Sequence, residues 1–364
     1  MSSDAEALWE RLAGGPVLAR RLSSNGRNSR VYRLELPGGG LLAGKRYPQN
    51  PADPRDRLGA ELAGLTLCRR AGLRVPEPVA FSREEGALLM EFVRGEPVGD
   101  PGESGVDEAV AFLAALRALS AQLPGQAEVA LECGRDLSPG PLSGGQSPGH
   151  RVFLAPASEA CFTGQALAAN LEVRLQRLEA ARGEEPEYAA LTELVSALRA
   201  RFARALRESP AGFGPTWETP LPEAQRTLSP SDFGFHNALR LSGGGLCFLD
   251  LEYFGRDDPA KTLCDFVLHP GMALPDHLAG RFLAGAGRAL LEAGGAGRSV
   301  AAFPFYALKW CAIVLNEFVA ADRARRDFAG RDTRRETLRR QLALATRILE
   351  DLDERHAWFG SRLA

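Results

Sequence analysis

The sequence predicts an α+β protein with a small, β-rich N-terminal part and a larger, mainly helical C-terminal part. Short strand-and-turn patterns fill residues 17–95, and long helical patterns dominate the chain beyond them. The length of 364 residues suits two domains or one large bilobal unit, since domains commonly have about 100–200 residues. We therefore expect one lobe over residues 1–95 and a second over 96–364.

The N-terminal part has the pattern of hairpins around one helix. Its predicted elements are, in order, a strand over 17–22, a polar turn over 23–29, a strand over 31–36, a Pro/Gly turn over 37–40, and strands over 41–45 and 87–93. A helix is predicted over 55–71, because the apolar residues 58, 62, 65 and 68 share one face. Gly72 and Pro76 would end it.

The C-terminal part alternates long helices with one region of strands and turns. Helices are predicted over 107–119, 165–182, 187–207, 276–294, 302–322 and 332–357, and strands and turns over 227–252. Residues 136–149 are rich in Gly, Pro and Ser, so we expect an exposed, mobile loop there. The apolar spacing of the last helix fits a short coiled-coil seam or, as we prefer, packing within the lobe.

Charge and composition exclude several classes of protein. With 44 basic and 46 acidic residues the net charge is −2, so no overall basic field points to nucleic acid. An apolar fraction of 45% excludes a disordered chain. The N-terminus lacks a signal-peptide core, and no apolar run approaches the ~20 residues that cross a bilayer. We therefore expect no membrane partner. The six cysteines form no CxxC pair, so we expect a cytoplasmic protein without a zinc knuckle or a disulfide scaffold.

Lysine is rare in this chain. Of the 44 basic residues only Lys45, Lys261 and Lys309 are lysines, while Ala, Gly, Arg and Pro are plentiful. This composition indicates mutational pressure toward G and C. Arginine replaces lysine on a surface at little cost, but not where a compact ammonium group is needed. The remaining lysines are therefore candidates for positions with a specific role.

The densest group of reactive side chains lies between residues 228 and 270. Asp232 and Asn237 are five residues apart in a predicted turn, and Asn237 starts a strand whose hairpin partner ends at Asp250. The open end of such a hairpin places Asn237 near Asp250 and leaves Asp232 just outside. Carboxylate and amide oxygens can hold Mg²⁺, and a further carboxylate can accept a proton from a hydroxyl nucleophile. This is the equipment for phosphoryl transfer, although an Asp and an Asn in a turn also commonly act as caps.

With Lys45 in an apolar strand, these residues give the chain a resemblance to the aminoglycoside phosphotransferase and choline kinase group. The resemblance covers residues 17–330 through five motifs in order. It implies a bilobal protein-kinase-like fold, ATP and Mg²⁺ as cofactors, and transfer of the γ-phosphate to a hydroxyl of a small-molecule acceptor. Lys45, Asp232, Asn237 and Asp250 should then converge in one cleft between the lobes.

The resemblance also implies the residues that bind the nucleotide. The polar turn corresponds to the phosphate-binding loop, Lys45 to the lysine that holds the α- and β-phosphates, and Glu61 to the acid that orients this lysine. Met90-Glu91-Phe92-Val93 corresponds to the hinge whose backbone meets adenine. The nucleotide-binding residues implied in this way are Ser24, Asn25, Gly26, Asn28, Ser29, Lys45, Glu61, Glu91 and Phe92.

The remaining motifs are the catalytic turn, residues 230–237, and the strand end that follows the hairpin. Asp232 corresponds to the catalytic base, and Asn237, Asp250 and Glu252 correspond to metal ligands. The group usually has His-Gly-Asp where this chain has Pro-Ser-Asp, beginning at Pro230. We interpret His236 as packed in the turn rather than as a second base, and Asp258 as the N-cap of a helix.

Two alternatives accompany the small-molecule kinase interpretation. The proline in the catalytic turn and the glycine-poor phosphate loop are compatible with an inactive, nucleotide-binding pseudokinase that acts as a regulatory module. A protein kinase is less well supported, because Asp250 is followed by Leu-Glu rather than Phe-Gly. The acceptor (an aminoglycoside, an amino alcohol or a sugar), the choice between ATP and GTP, the number of metals and the oligomeric state do not follow from the sequence.

Overall fold

The computed structural model of the protein describes residues 3–21, 29–49, 53, 55–125, 127–133, 135–136, 151–319 and 334–363. Its helices are α1 (Ser3–Ala13), α2 (Arg57–Arg70), α3 (Gly102–Ser120), α4 (Gly164–Glu179), α5 (Glu187–Glu208), α6 (Pro210–Phe213), α7 (Pro259–Leu268), α8 (Asp276–Leu290), α9 (Gly295–Val314), α10 (Arg334–Glu350) and α11 (Leu352–Leu363). Its strands are β1 (Leu18–Arg21), β2 (Arg30–Glu35), β3 (Leu41–Arg46), β4 (Pro78–Ser82), β5 (Ala87–Glu91), β6 (Gly95–Pro97), β7 (Glu128–Ala130), β8 (Arg135–Asp136), β9 (Arg151–Phe153), β10 (Thr227–Ser229), β11 (Ala238–Leu241), β12 (Leu246–Phe248) and β13 (Gly255–Asp257).

The chain divides into two compact units that are discontinuous in sequence. The first contains the described residues within Met1–Pro101, Ala118–Ser158 and Leu228–Arg256. The second contains those within Gly102–Arg117, Glu159–Thr227 and Asp257–Ala364. The catalytic turn and its hairpin therefore belong to the same unit as the N-terminal strands. The lobe boundary after residue 95 stays a prediction.

The first unit is built on a six-stranded sheet with the strand order β1-β2-β3-β5-β4-β8. Neighbouring strands are antiparallel except β4 and β8, which run parallel. Helix α1 packs on this sheet through the buried residues Leu8, Trp9 and Leu12. The Trp9 ring comes so close to Gly44 that a Cβ there would lie 2.8 Å from it. A glycine next to Lys45 therefore allows α1 to pack against β3.

Helix α2 confirms the prediction of a helix over residues 55–71. Its first turn is capped by Asp56, whose carboxylate accepts a hydrogen bond from the backbone N–H of Gly59 at 2.8 Å. The four apolar residues that define the predicted face are all buried: Leu58, Leu62, Leu65 and Cys68. Most other residues of α2 are buried as well, so the 3.6-residue period identified buried positions but not a single inward face.

The middle of α2 lies very close to the chain that follows β12. A Cβ on Gly64 would lie 2.8 Å from the Phe254 side chain and 3.1 Å from that of Leu251. Glu61 precedes Gly64 by about one helical turn of 3.6 residues, and Leu251 follows Asp250 directly. The close approach at Gly64 therefore positions Glu61 relative to the segment that carries Asp250.

We expect Gly64→Ala to destabilise the protein, although alanine is favoured over glycine in a helix interior by about 1 kcal/mol. The added methyl group would overlap the buried Phe254 side chain, and overpacking of this kind costs about 1–3 kcal/mol. Gly280→Ala in α8 is the matched control, because a Cβ there has no neighbour closer than 3.7 Å. Thermal unfolding should give a lower Tm for Gly64→Ala and an unchanged or higher Tm for Gly280→Ala. Equal changes in Tm would contradict the close packing at Gly64.

The second unit is a group of helices around α9. This helix contacts α4, α5, α6, α7, α10 and α11, and its side chains Phe303, Phe305 and Tyr306 are fully buried. Residues Gly295–Phe318 are long and apolar enough to cross a membrane, but 78% of the most apolar window is buried inside the protein. Such burial is typical of a core helix.

Several predicted helices of the second unit have different bounds in the structure. Helix α9 starts at Gly295 rather than at residue 302, because burial of Arg298, Ser299 and Ala301 outweighs the low helix propensity of the glycines before them. The prediction of one helix over 332–357 is wrong, since α10 and α11 are separated at Asp351. The break lets α10 pack on α5 and α9 while α11 packs on α8 and α9, and no glycine or proline signals it.

Several elements have no counterpart among the predicted ones. Strands β4 and β6–β9 were not predicted, because they are short. Helix α1 was not predicted either, although its buried residues Leu8, Trp9 and Leu12 have helical spacing. Asp136 is the last residue of β8. The rest of the predicted loop over 136–149 lies outside the described residues.

Candidate active site

Lys45 lies among buried charges in the first unit, which we call the lysine cluster (Lys45, Arg57, Glu61, Asp250 and Glu252). Strand β3 supplies Lys45, and α2 supplies Glu61. The Lys45 ammonium nitrogen is 2.6 Å from a Glu61 carboxylate oxygen and 2.5 Å from an Asp250 carboxylate oxygen. It is also 3.3 Å from a carboxylate oxygen of Glu252. One ammonium group thus contacts three carboxylates, one from α2 and two from the segment that follows β12.

Arg57 is the second cation of the lysine cluster. It donates hydrogen bonds to Glu252 at 2.9 Å and to Asp53 at 3.0 Å. Glu252 is buried and lies against two cations, whereas the side chain of Asp250 is 39% exposed. Asp250 is therefore the carboxylate of the cluster that a ligand can most readily reach.

The protonation states of the cluster follow from burial and charge. Burial acts to lower the pKa of Lys45, but Asp250, Glu61 and Glu252 outweigh it, so this pKa lies well above its ordinary value. Burial raises the pKa of Glu61, against the effect of the Lys45 charge. The Tyr47 hydroxyl donates to Glu61 at 2.5 Å, and burial together with the Glu61 charge raises the pKa of Tyr47 well above its ordinary value. Lys45 therefore stays charged and Tyr47 stays a hydrogen-bond donor at neutral pH.

The predicted hairpin brings Asn237 close to Asp250. Strands β11 and β12 pair antiparallel with Ala238 opposite Phe248. Beyond this pair, the backbone N–H of Leu249 donates to the carbonyl of Asn237 at 2.8 Å. Asn237 therefore lies across from the residue before Asp250. Asp250 itself has a φ of 60°, in the left-handed region that non-glycine residues rarely adopt.

The catalytic turn holds Asp232 by its backbone and by its side chain. The Asn237 side-chain amide donates to the Asp232 carbonyl at 3.0 Å, which closes the turn. Because Nδ2 makes this bond, Oδ1 is the acceptor end of the Asn237 amide. At the Asp232 carboxylate, Nε2 of His236 lies 3.0 Å from Oδ1. Burial raises the pKa of Asp250 above its ordinary value against the effect of the Lys45 charge, and the charges of Glu252 and Asp232 add to the rise.

Not every predicted site residue falls on a described part of the chain. Ser24, Asn25, Gly26 and Asn28 lie outside the described residues. Ser29 is half-buried and directly precedes β2. The structure therefore describes only the end of the predicted phosphate-binding loop.

The predicted hinge residues Glu91 and Phe92 lie at the end of β5. Glu91 is the last residue of the strand, and Phe92 follows it. The Glu91 carboxylate accepts hydrogen bonds from Arg74 at 2.5 and 2.9 Å, and its backbone N–H donates to the Glu77 carbonyl at 2.8 Å. The half-buried Phe92 ring lies 5.8 Å from the Arg33 guanidinium carbon. The Glu91 side chain is therefore occupied by an ion pair, and a role of this segment in adenine binding stays a prediction that concerns its backbone.

Sequence reasoning missed two side chains of the site. Arg57 lies four residues before Glu61, a spacing that places both side chains on one face of α2. Tyr47 lies two residues after Lys45, so it shares a side with Lys45 if the alternation of β3 continues. The helical and strand periods predict on which side of its element each residue lies, but they do not predict which residue its side chain contacts.

The three lysines of the chain are all buried. Lys45, Lys261 and Lys309 are 3%, 2% and 3% exposed. In the second unit, Lys261 pairs with Asp257 at 3.0 Å and Lys309 pairs with Glu159 at 2.7 Å. Each lysine is thus a compact cation in a buried ion pair, as its retention in an arginine-rich chain suggests.

Comparisons with known proteins agree with this architecture. Solved structures similar to the chain include a spectinomycin phosphotransferase in complex with ADP and spectinomycin (10% identity, 96% of this chain and 98% of that one, TM-score 0.58). Others are a choline kinase from Streptococcus pneumoniae (13%, 96% and 100%, 0.53) and an ethanolamine kinase from Plasmodium vivax (10%, 95% and 84%, 0.52). A comparison with curated proteins found no match.

The structural matches define the fold class, which is α+β and protein-kinase-like, as the sequence predicts. At these levels of identity they define the fold alone. A family model described as "Phosphotransferase enzyme family" matches residues 19–303, which is most of the chain. The protein therefore belongs to the phosphotransferase enzyme family.

Proposed function

We propose that this protein transfers the γ-phosphate of ATP to a hydroxyl group of a small molecule. The observation that carries the proposal is the direct contact of Lys45 with Glu61 and Asp250, together with the hairpin that joins Asp250 to the catalytic turn. A buried, permanently charged lysine held by a helix acid is suited to bind nucleotide phosphates. Asp232, 38% exposed in the turn, is suited to accept a proton.

Each residue then has a defined part in the transfer. The Asp232 carboxylate accepts the proton of the acceptor hydroxyl as the acceptor oxygen forms its bond to the γ-phosphorus. The bond between the γ-phosphorus and the oxygen that bridges to the β-phosphate breaks, and ADP leaves with that electron pair. Lys45 binds the α- and β-phosphates and stabilises the negative charge that develops on ADP.

The donor set fits a divalent metal ion. Asp250 offers a half-exposed carboxylate, and Asn237 offers Oδ1 because its Nδ2 is bonded to Asp232. Such hard oxygen ligands suit Mg²⁺. Bound Mg²⁺ supplies charge neutralisation and orientation of the phosphates. We assign Asp250 and Asn237 as its ligands and Glu252 as the anion that holds Arg57 and Lys45 in place, since Glu252 is buried between these two cations.

The solved structures support nucleotide and small-molecule binding. The spectinomycin phosphotransferase holds ADP and its antibiotic, and an amicoumacin kinase of similar fold (12% identity, TM-score 0.54) holds AMP-PNP and Ca²⁺. We infer that the present chain binds ATP in the same general way. The neighbours act on chemically different acceptors, so the proposed acceptor class is a small molecule with a free hydroxyl group.

A panel of acceptors with purified protein and Mg-ATP tests the proposal. The panel contains aminoglycosides, spectinomycin, choline, ethanolamine and fructosamines, and ADP release is compared with the background without acceptor. We expect at least one acceptor to raise ADP release and to gain one phosphate by mass spectrometry. Mg-ATP binding without transfer to any acceptor would favour the pseudokinase alternative, to which the proline at position 230 points. Absence of Mg-ATP binding would contradict both.

A further inference from the structure

His236 contacts the carboxylate that we propose as the catalytic base. Its Nε2 lies 3.0 Å from Oδ1 of Asp232, four residues earlier in the same turn. The 3₁₀ turn Phe235–Asn237 makes this contact possible, because it folds residue 236 back over residue 232. The neighbouring Asn237 binds the carbonyl of the same aspartate at 3.0 Å. Two consecutive side chains therefore contact Asp232, one at its carboxylate and one at its backbone carbonyl.

The hydrogen bond between His236 and Asp232 has a definite direction. An ionised carboxylate only accepts hydrogen bonds, so the imidazole must donate from Nε2. This bond limits rotation of the carboxylate about its Cβ–Cγ bond, and both carboxylate oxygens then have a fixed direction before any substrate binds. A base whose oxygens already have the productive direction loses less entropy on reaching the transition state.

The packing of the turn is provided by other side chains. Phe233 and Phe235 are buried, and the Phe233 ring lies 4.7 Å from that of Phe248. The His236 side chain is 19% exposed and directs its Nε2 at Asp232. His236, which we interpreted from the sequence as packed in the turn, therefore also has a specific partner for its Nε2.

The segment before Asp232 has its own partners. Ser231 has a φ of 70°, its backbone N–H donates to the Ser229 hydroxyl at 3.0 Å, and its hydroxyl donates to the Ser158 carbonyl at 3.1 Å. Pro230 has no polar side-chain group to offer. The contact of His236 with the Asp232 carboxylate therefore comes from the C-terminal half of the turn.

We propose that His236 is a positioning residue that orients the Asp232 carboxylate for proton abstraction. The inference rests on the proposed function, because orientation of a base matters only if transfer occurs. The proposal assigns a role to His236, which is not one of the positions of the family's His-Gly-Asp pattern. It also assigns that role to one nitrogen, Nε2, rather than to the ring as a whole.

Two substitutions of His236 by residues with a side-chain amide distinguish the positioning role from a purely structural role. His236→Gln can present an amide N–H near the position of Nε2, whereas the shorter His236→Asn presents it near Nδ1 and leaves Oδ1 of Asp232 without this donor. We expect His236→Asn to lower kcat about 10- to 100-fold, the scale of a misplaced reacting group, with KM for ATP within about twofold of the parent. His236→Gln should retain kcat within about threefold. The acceptor is the one that gives the highest transfer rate with the parent protein.

The outcomes distinguish the inference from the proposed function. If the parent transfers phosphate and both variants have equal kcat values, whether both normal or both low, the positioning role of Nε2 is wrong. If the parent transfers phosphate to no acceptor, the proposed function fails and the inference falls with it. Thermal unfolding of both variants provides the control for folding, and a loss of kcat in His236→Asn that follows only a large drop in Tm would also overturn the inference.

Discussion

Asp232→Asn is expected to lower the rate of phosphate transfer by about 10²–10⁴, the usual contribution of a positioned acid or base. Asparagine has nearly the same shape, so its Nδ2 or Oδ1 can stay beside His236, but an amide cannot accept the hydroxyl proton. The fold and Mg-ATP binding should be retained, because the lysine cluster and the Asn237 contact with the backbone carbonyl of residue 232 do not need the carboxylate. Transfer is measured as acceptor-dependent ADP release, and binding as the rise in Tm with Mg-ATP.

A matched control accompanies this variant. Glu96→Gln removes an exposed carboxylate from β6, which pairs with β11 in the same unit but is not part of the lysine cluster. We expect it to transfer phosphate at the parental rate. If Asp232→Asn also kept the parental rate, Asp232 would not be the base, and the proposed mechanism would have to use another proton acceptor.

The local elements of the site followed from the sequence because their signals are local. Turn residues and alternating apolar positions delimit β2 and β3, and the four-residue turn between β11 and β12 predicts the hairpin that brings Asn237 to Asp250. The helical period identified four buried apolar positions of α2. In each case the interacting residues lie in the same helix or in two strands joined by a short turn. At such short separations the spacing along the sequence determines which side chains lie together.

Residue spacing alone did not give the partners of the buried charges, because these partners lie far apart along the chain. The pairing of Lys45 with Glu61 was implied by the family resemblance, whereas the partners of Arg57 were not predicted. Arg57 and Glu252 are 195 positions apart, and the helical period of α2 leaves Glu61 equally compatible with a solvated position. Burial of a charge is tolerated only where a partner compensates it, and no spacing rule encodes a partner in another segment. The scarcity of lysine was the single compositional signal that marked Lys45 before its partners were known.

The same limit applies to His236. The sequence places it four residues after Asp232, but this spacing brings side chains together only if the chain turns as a helix does. The 3₁₀ turn at Phe235–Asn237 and the left-handed Ser231 decide the direction of both side chains. Neither feature has a strong signature here, since the left-handed position is not a glycine.

Asp250→Asn is expected to abolish both transfer and Mg²⁺-dependent nucleotide binding, because the proposed metal joins this carboxylate to the phosphates. The protein without ligand should stay folded, since Lys45 keeps Glu61 and Glu252 as anionic partners and the asparagine amide oxygen can still accept its hydrogen bond. A ligand at 100 times its Kd stabilises the native state by about 2.7 kcal/mol, so its loss is measurable as a missing rise in Tm. The measurement compares Mg-ATP with ATP plus EDTA for the parent and the variant.

Glu252→Gln is the matched comparison, since it changes the other carboxylate of the Asp-Leu-Glu segment. Because Glu252 is buried against Arg57 and Lys45, its neutralisation leaves buried cations with less compensation and should lower the Tm of the protein without ligand. If only Asp250 binds the metal, Glu252→Gln retains the Mg²⁺-dependent rise in Tm that Asp250→Asn loses. The opposite result is that Glu252→Gln loses the Mg²⁺-dependent rise in Tm and Asp250→Asn keeps it. This result would show that Glu252, and not Asp250, is the metal ligand.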